Sequence, residues 1–217
     1  MSIRIGIYDF FAYTIPGGLL LLLLFYGMDS FGVAGIWEKL NALTTPQIFL
    51  LVVGAYLVGF IFNPFATKWS SWFESRNFEQ DILDRIKKRN PALPVDIEAK
   101  DWAIWFASIR RENLELALEI DRYMAVAKML RGVSLFLVLA GVMVLLNIIG
   151  QKHPAWYLVG VALSFLFSFV VMRESVYSKG RFFYSIFETV IARQKPFAAT
   201  PKTEKETPAP ENQESRK

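Results

Sequence analysis

The sequence predicts an all-α polytopic membrane protein with four transmembrane helices, a cytoplasmic helical insert between helices 2 and 3, and a disordered C-terminal tail. Four runs without Asp, Glu, Lys or Arg lead to this prediction, at residues 10–28, 40–67, 132–151 and 155–172. A run of this length and apolarity can span a ~30 Å hydrocarbon core as a helix. The 217 residues are 53% hydrophobic, and the excess over a soluble domain is concentrated in these runs.

The first run contains six consecutive leucines, residues 19–24. A cleaved signal peptide is the alternative interpretation. Only Arg4 provides positive charge ahead of the run, and no small-x-small cleavage site follows the leucines, so we expect an uncleaved anchor.

Pro16, Gly17 and Gly18 directly precede the leucines. Pro16 suits the first turn of a helix, where its missing N–H costs nothing. The same three residues would also suit a hinge or gate at the membrane face. Together with Asp9, at the edge of this apolar segment, they are the hinge or gate candidates.

The second run is predicted to begin at a helix cap in residues 44–46, Thr-Thr-Pro, and to end at Asn63-Pro64. Gly54 and Gly59 are five residues apart, whereas the GxxxG motif requires four. Asn63 and Asn147 are the amides near membrane depth, and we expect them to cap helices or to bond between helices.

The insert, residues 65–131, is predicted to contain a charged helix over 74–89, an interruption at 90–94, and a second helix from about Ile97, capped by Asp96. No helix breaker follows before Gly132, so the second helix could continue into the third span. It carries an apolar stripe of interface candidates: Trp102, Trp105, Phe106, Ile109, Leu116 and Tyr123. The stripe could pack on the first cytosolic helix, or it could form an oligomeric or partner interface.

The third and fourth runs are predicted to form an antiparallel hairpin with a tight turn. Beyond it, apolar residues recur at helical spacing with basic residues on their flanks, which predicts an amphipathic exit helix. This helix could lie in the membrane interface or pack on the cytosolic helices. The predicted segments are therefore the first helix pair (1–64), the cytoplasmic helical segment (65–131), the second hairpin (132–172), the exit helix (173–195) and the disordered tail (196–217).

The distribution of positive charge predicts the orientation. Of the 24 Lys and Arg residues, 22 lie in the N-terminal, middle and C-terminal segments, and two lie in the other connections. Because positive charge is retained on the cytoplasmic side, both termini and the insert are predicted to be cytoplasmic. The basic run Lys87, Lys88 and Arg89 could face anionic lipid or simply be solvated.

Composition limits the chemistry available to this chain. It has no cysteine and one histidine, which excludes thiolate nucleophiles, Cys-ligated metals and multi-histidine metal sites. No phosphate-binding loop or nucleophile motif is present, and the runs contain no charged group for a proton relay. We therefore expect neither an enzyme nor a cofactor, and no direct contact with nucleic acid. The lipid bilayer is the one partner that composition itself implies.

The string at residues 8–17, YDFFAYTIPG, resembles the opening of small bacterial four-span proteins, several of which accompany antiphage defence genes. The arrangement of spans and insert is also similar to membrane effectors of cyclic-oligonucleotide signalling systems and to the membrane subunit of Kiwa-type systems. This resemblance implies a bacterial inner membrane and a membrane-perturbing or sensing role. It transfers no catalytic residue.

Two functions fit these features. The first is a homo-oligomeric membrane effector or channel-like component of a bacterial defence or stress system, gated through its cytosolic helices. The alternative is a membrane anchor or scaffold subunit that recruits a cytosolic protein through residues 70–130. A small-solute transporter is disfavoured because the spans lack polar sites.

Overall fold

The computed structural model describes residues 7–30, 36–89, 98–150 and 156–194 of the chain, and every regular element in these ranges is helical. The predicted all-α class is confirmed for this part of the chain. The α-helices are α1 (Ile7–Ser30), α2 (Ile36–Asn41), α3 (Thr45–Ser70), α4 (Phe78–Arg89), α5 (Trp102–Glu112), α6 (Leu114–Gly150) and α7 (Trp156–Gln194), with a 3-10 turn at Ala99–Asp101 before α5. The predicted interruption at 90–94, the Asp96 cap, the turn at 151–154 and the tail at 196–217 lie outside the described residues.

Four helices, α1, α3, α6 and α7, are long and apolar enough to cross a membrane. This confirms the four predicted spans and indicates a multi-pass membrane protein. At 1.5 Å per residue, the 37 residues of α6 and the 39 residues of α7 extend about 55 and 58 Å. Both lengths exceed a ~30 Å hydrocarbon core, so each helix continues well beyond the membrane without interruption.

The start of α3 follows the predicted cap. Thr44 precedes the helix in an extended conformation, and Pro46 lies in the first turn. The Thr44 backbone N–H donates to Gln47 Oε1 at 2.8 Å, which satisfies a donor that the helix itself leaves free.

Two prolines lie inside helices rather than at their ends. Pro16 is within α1, which begins at Ile7, and Pro64 is within α3, which continues to Ser70. The predictions that Pro16 starts a helix and that Asn63-Pro64 ends one are therefore wrong. A proline costs one backbone hydrogen bond, but membrane helices tolerate it where neighbouring helices and polar side chains compensate.

The insert also differs from its predicted outline. The first helix, α4, begins at Phe78 rather than at 74. The second is interrupted at Asn113, whose extended backbone (φ −140°, ψ 95°) ends α5. Asn113 Oδ1 then accepts a hydrogen bond from the Leu116 backbone N–H at 3.1 Å, so Asn113 caps the start of α6. The helix predicted to be continuous from Ile97 is thus two helices, and the second of them continues into the membrane.

The helices form two packed regions. In the membrane, α1 packs against α3 and α6, and α7 packs along α6. Beyond it, α4 and α5 pack against the extension of α7, and α5 also contacts that of α6. We call this second region the extramembrane core, whose buried side chains include Ile82, Leu83, Ile86, Ile109, Ile120, Phe182, Phe183, Ile186 and Phe187. The predicted boundaries at 131–132 and 172–173 lie within α6 and α7, so these two helices connect the core rigidly to the spans.

Candidate functional site

A charged cluster joins three spans where they emerge toward the extramembrane core. Lys128 Nζ donates to Asp9 Oδ1 at 3.0 Å and lies 5.8 Å from the centroid of the Tyr13 ring. Arg131 Nη2 donates to Asn63 Oδ1 at 2.8 Å. The charged cluster therefore connects α6 with both α1 and α3. The predicted interhelical role of Asn63 is confirmed.

Next to the charged cluster, α1 and α3 are in direct backbone contact. A Cβ atom built on Gly17 would lie 1.8 Å from the carbonyl oxygen of Ala55, and one built on Gly59 would lie 1.9 Å from that of Tyr13. Only glycine allows such an approach. On the other side of α1, a Cβ on Gly132 would lie 2.7 Å from the Pro16 ring.

These contacts place the four hinge or gate candidates. Asp9 belongs to the charged cluster, and Pro16 and Gly17 are buried in the close packing. Gly18 has only an ordinary van der Waals neighbour, the Ala55 side chain, at 3.9 Å. The first three therefore occupy one tight joint between α1, α3 and α6, which any hinge motion would have to open. The hinge or gate role itself stays a prediction.

Serine hydroxyls connect α6 with α7 inside the membrane. The buried Ser134 and Ser168 hydroxyls lie 2.9 Å apart, and the Ser168 hydroxyl donates to the Ser134 carbonyl at 2.9 Å. Ser164 likewise donates to the Leu137 carbonyl at 2.6 Å. Trp69 Nε1, at the end of α3, donates to Ser134 Oγ at 3.2 Å. These hydroxyls are satisfied within the protein, as buried polar groups in a membrane require.

A small cavity lies beside Pro16, Asn63 and Lys128, in the joint between α1, α3 and α6. Its volume is about 10 Å³, enough for one water molecule.

The six interface candidates lie in or against the extramembrane core. Ile109 is fully buried, and Trp102, Trp105, Phe106, Leu116 and Tyr123 are partly buried against the core. Trp102 packs edge-on against Phe183, with ring centroids 5.3 Å apart. The rings of Trp102 and Phe106 pack on Phe182 and Phe183 of the α7 extension, whereas packing on the first cytosolic helix was one of the two alternatives that the sequence left open. Internal packing thus covers most of the surface of the stripe. Trp105 Nε1 is buried and has no hydrogen-bond partner among the described residues.

The basic run lies at the end of α4. Lys87 is half-buried, while Lys88 and Arg89 are exposed. Three cations in the last helical turn are also favourable for the helix dipole, so lipid contact is not needed to explain them. Contact between this basic run and anionic lipid remains a prediction.

A further ion pair connects the end of α3 with α7. Glu74 accepts hydrogen bonds from Lys179 Nζ and from Ser70 Oγ, and the Glu74 side chain is 14% exposed. No feature of the sequence predicted this pair, because its members are 105 residues apart. The described part of the chain contains no group of three or more His, Cys, Asp or Glu residues placed to hold a metal ion.

We expect Glu74→Ala to lower the free energy of unfolding by about 2 kcal/mol, since it leaves a mostly buried lysine without its partner. The control is Glu98→Ala, because the pair of Glu98 with Lys100 is largely exposed and should contribute little to stability. Thermal unfolding of both variants in detergent provides the comparison. Equal losses in the two variants would contradict a structural role for Glu74.

Comparisons with known proteins identified no relative of this chain. No protein-family model, no curated protein and no solved structure matches this chain. The functional argument therefore depends on the residues and their geometry.

Proposed function

We propose that this protein is a homo-oligomeric membrane effector of a bacterial inner membrane, with a channel-like action that is controlled through its extramembrane core. The observation that carries the proposal is the continuity of α6 and α7 from that core into the spans. A displacement of the core would move both helices, and the charged cluster would transmit the movement from α6 to α1 and α3. The positive-inside rule supports a cytoplasmic location for this core in the proposed arrangement.

Two glycines support an assembly of several chains. A Cβ built on Gly54 of α3 or on Gly160 of α7 would meet no atom within 4 Å. Small residues on an open face of a membrane helix allow another helix to approach closely. In the proposed assembly, a pore would form between chains that contact one another at these faces. The resemblance of residues 8–17 to proteins of antiphage loci supports a role in defence.

Membrane potential provides the functional test. During induced expression in bacteria, a voltage-sensitive dye should report rapid depolarisation and growth arrest for the wild-type chain. Asp9→Ala, expressed at an equal level, should abolish the response because it removes the ion pair that joins α1 to Lys128 of α6. Lys100→Ala is the control, since Lys100 is exposed and distant from the spans in sequence. An unchanged potential with all three chains would contradict the proposal.

Assembly can be tested separately by Gly54→Leu, with Phe49→Leu as the control on another face of α3. Phe49 is 68% exposed and its replacement keeps the helix apolar. A leucine at a close helix contact should weaken association about tenfold or more. Cross-linking and mass measurement over a range of detergent dilutions give the dissociation constant. A monomeric wild type, or equal association of both variants, would contradict an interface at Gly54.

The alternative, an anchor that recruits a cytosolic protein, has one observation in its favour. Ile104 on α5 is 67% exposed, and Leu114 and Leu118 on α6 are 46% and 45% exposed, outside the spans' apolar runs. These side chains remain available after the core has formed. A partner that co-purifies with the wild type and is lost from Ile104→Asp, with the potential unchanged, would favour the anchor.

A further inference from the structure

A groove of about 750 Å³ lies between α4 and the extension of α7. It begins at Phe73, whose ring packs edge-on against Phe169 in the apolar part of α7, so this end lies at the membrane face. Pockets of 300–1,000 Å³ are the size at which proteins bind small molecules. The groove is separate from the joint between α1, α3 and α6.

Three arginines line this groove. Arg85 and Arg89 are four residues apart on α4 and therefore share one helix face, and Arg181 lies opposite on α7. None of the three takes part in an ion pair of the described residues, whereas Lys128, Lys179 and Arg193 each have a carboxylate partner. The groove thus presents three guanidinium groups that have no carboxylate within ion-pair distance among the described residues.

Two tyrosine rings lie beside the Arg181 guanidinium. Its central carbon lies 4.8 Å from the centroid of Tyr123 and 5.9 Å from that of Tyr177, within the range of a cation–π contact. An arginine against an aromatic face can still bind phosphate oxygens through its N–H edge with two parallel hydrogen bonds. Tyr177 is 59% exposed beside the membrane face, where tyrosine commonly anchors at the headgroup level.

The groove also contains acceptors. Asp81 and Glu188 line it, and Asp81 Oδ2 already accepts a hydrogen bond from Ser75 Oγ. Three arginines against two carboxylates leave a net charge of +1. This combination suits a ligand that carries both a phosphate group and hydroxyl donors, rather than a bare polyanion.

We propose that this groove is a binding site for a phosphate-bearing ligand with hydroxyl groups, which Arg85, Arg89 and Arg181 hold by its phosphate. The location of the groove at the membrane face makes a phospholipid headgroup one source, and a soluble phosphate compound is the other. Basic pockets at the cytoplasmic ends of membrane helices commonly bind anionic headgroups. The site does not depend on the proposed effector role, because binding is measured on the chain itself.

The test uses the full chain purified in detergent and reconstituted in nanodiscs. In one arm, native mass spectrometry counts phosphatidylglycerol retained from a mixture with phosphatidylcholine. In the other arm, glycerol 3-phosphate, which carries one phosphate and two hydroxyl groups, is titrated against the protein in phosphatidylcholine alone. In the arm in which the wild type binds its ligand, the double variant Arg85→Ala with Arg181→Ala should bind about thirtyfold more weakly. The control is Arg110→Ala with Arg111→Ala, which removes equal charge from α5, outside the groove.

Each result decides the matter. Retention of phosphatidylglycerol that the groove variant loses and the control keeps assigns the site to lipid, and the same pattern with glycerol 3-phosphate assigns it to a soluble ligand. Binding in neither arm, or equal losses in both double variants, overturns the proposal. Because Arg181 packs on Tyr123, the single variant Arg85→Ala is measured as well. It removes an exposed side chain that forms no ion pair among the described residues, and it should still weaken binding about fivefold.

Discussion

Gly17→Ala is expected to lower the free energy of unfolding of the membrane bundle by about 3 kcal/mol or more. The added methyl group would lie 1.8 Å from the Ala55 carbonyl oxygen and 2.6 Å from the Gly59 nitrogen. Both are backbone atoms, so no rotamer change can relieve the overlap, and α1 must move away from α3. That movement also strains the neighbouring contact of Pro16 with Gly132.

The next residue provides the control for this experiment. A Cβ on Gly18 meets only the Ala55 side chain, at 3.9 Å, and alanine is the better helix former, so Gly18→Ala should be neutral or slightly stabilising. Unfolding of both variants in mixed micelles gives the two free energies. If Gly17→Ala were as stable as Gly18→Ala, α1 and α3 would not be in backbone contact. This result would contradict the close packing of α1, α3 and α6 next to the charged cluster.

The sequence predicted the spans because their signal is local. Each run is long, apolar and free of charge, and this property alone is sufficient to identify a membrane helix. The cap at Thr44 was predictable for the same reason, since Thr44, Pro46 and Gln47 are adjacent in the chain. Pro16 misled the prediction because proline is a local signal for a helix end, whereas its close packing against Gly132 involves a residue more than a hundred positions away.

The charged cluster was only partly predictable. Asp9 and Asn63 were identified individually as polar groups near membrane depth, but their partners Lys128 and Arg131 depend on how α1, α3 and α6 pack. The apolar stripe illustrates the same limit. Helical spacing shows that Ile109 shares a face with the aromatic residues, yet spacing does not reveal which surface covers that face.

In the structure, the extramembrane core covers the helix face that contains Ile109. A substitution of Ile109 is therefore expected to have the second large effect. We expect Ile109→Asp to unfold the extramembrane core, with a loss of at least about 4 kcal/mol. Ile109 is fully buried among the side chains of α4, α6 and α7, where a carboxylate would find no described partner of opposite charge. Limited proteolysis of the full chain in detergent should show rapid cleavage within residues 78–131, while the apolar parts of the spans stay protected.

Ile104→Asp is the control that separates the effect of burial from the effect of introducing a negative charge. It introduces the same charge on the same helix, but Ile104 is 67% exposed and should tolerate the change within about 0.5 kcal/mol. If Ile109→Asp also resisted proteolysis and instead dissociated an oligomer, Ile109 would lie between chains, and the packing of α5 on α7 would be wrong. If it is cleaved as expected, a loss of function in this variant reports an unfolded core. The exposed residues of α5 are then the ones that can test for a partner.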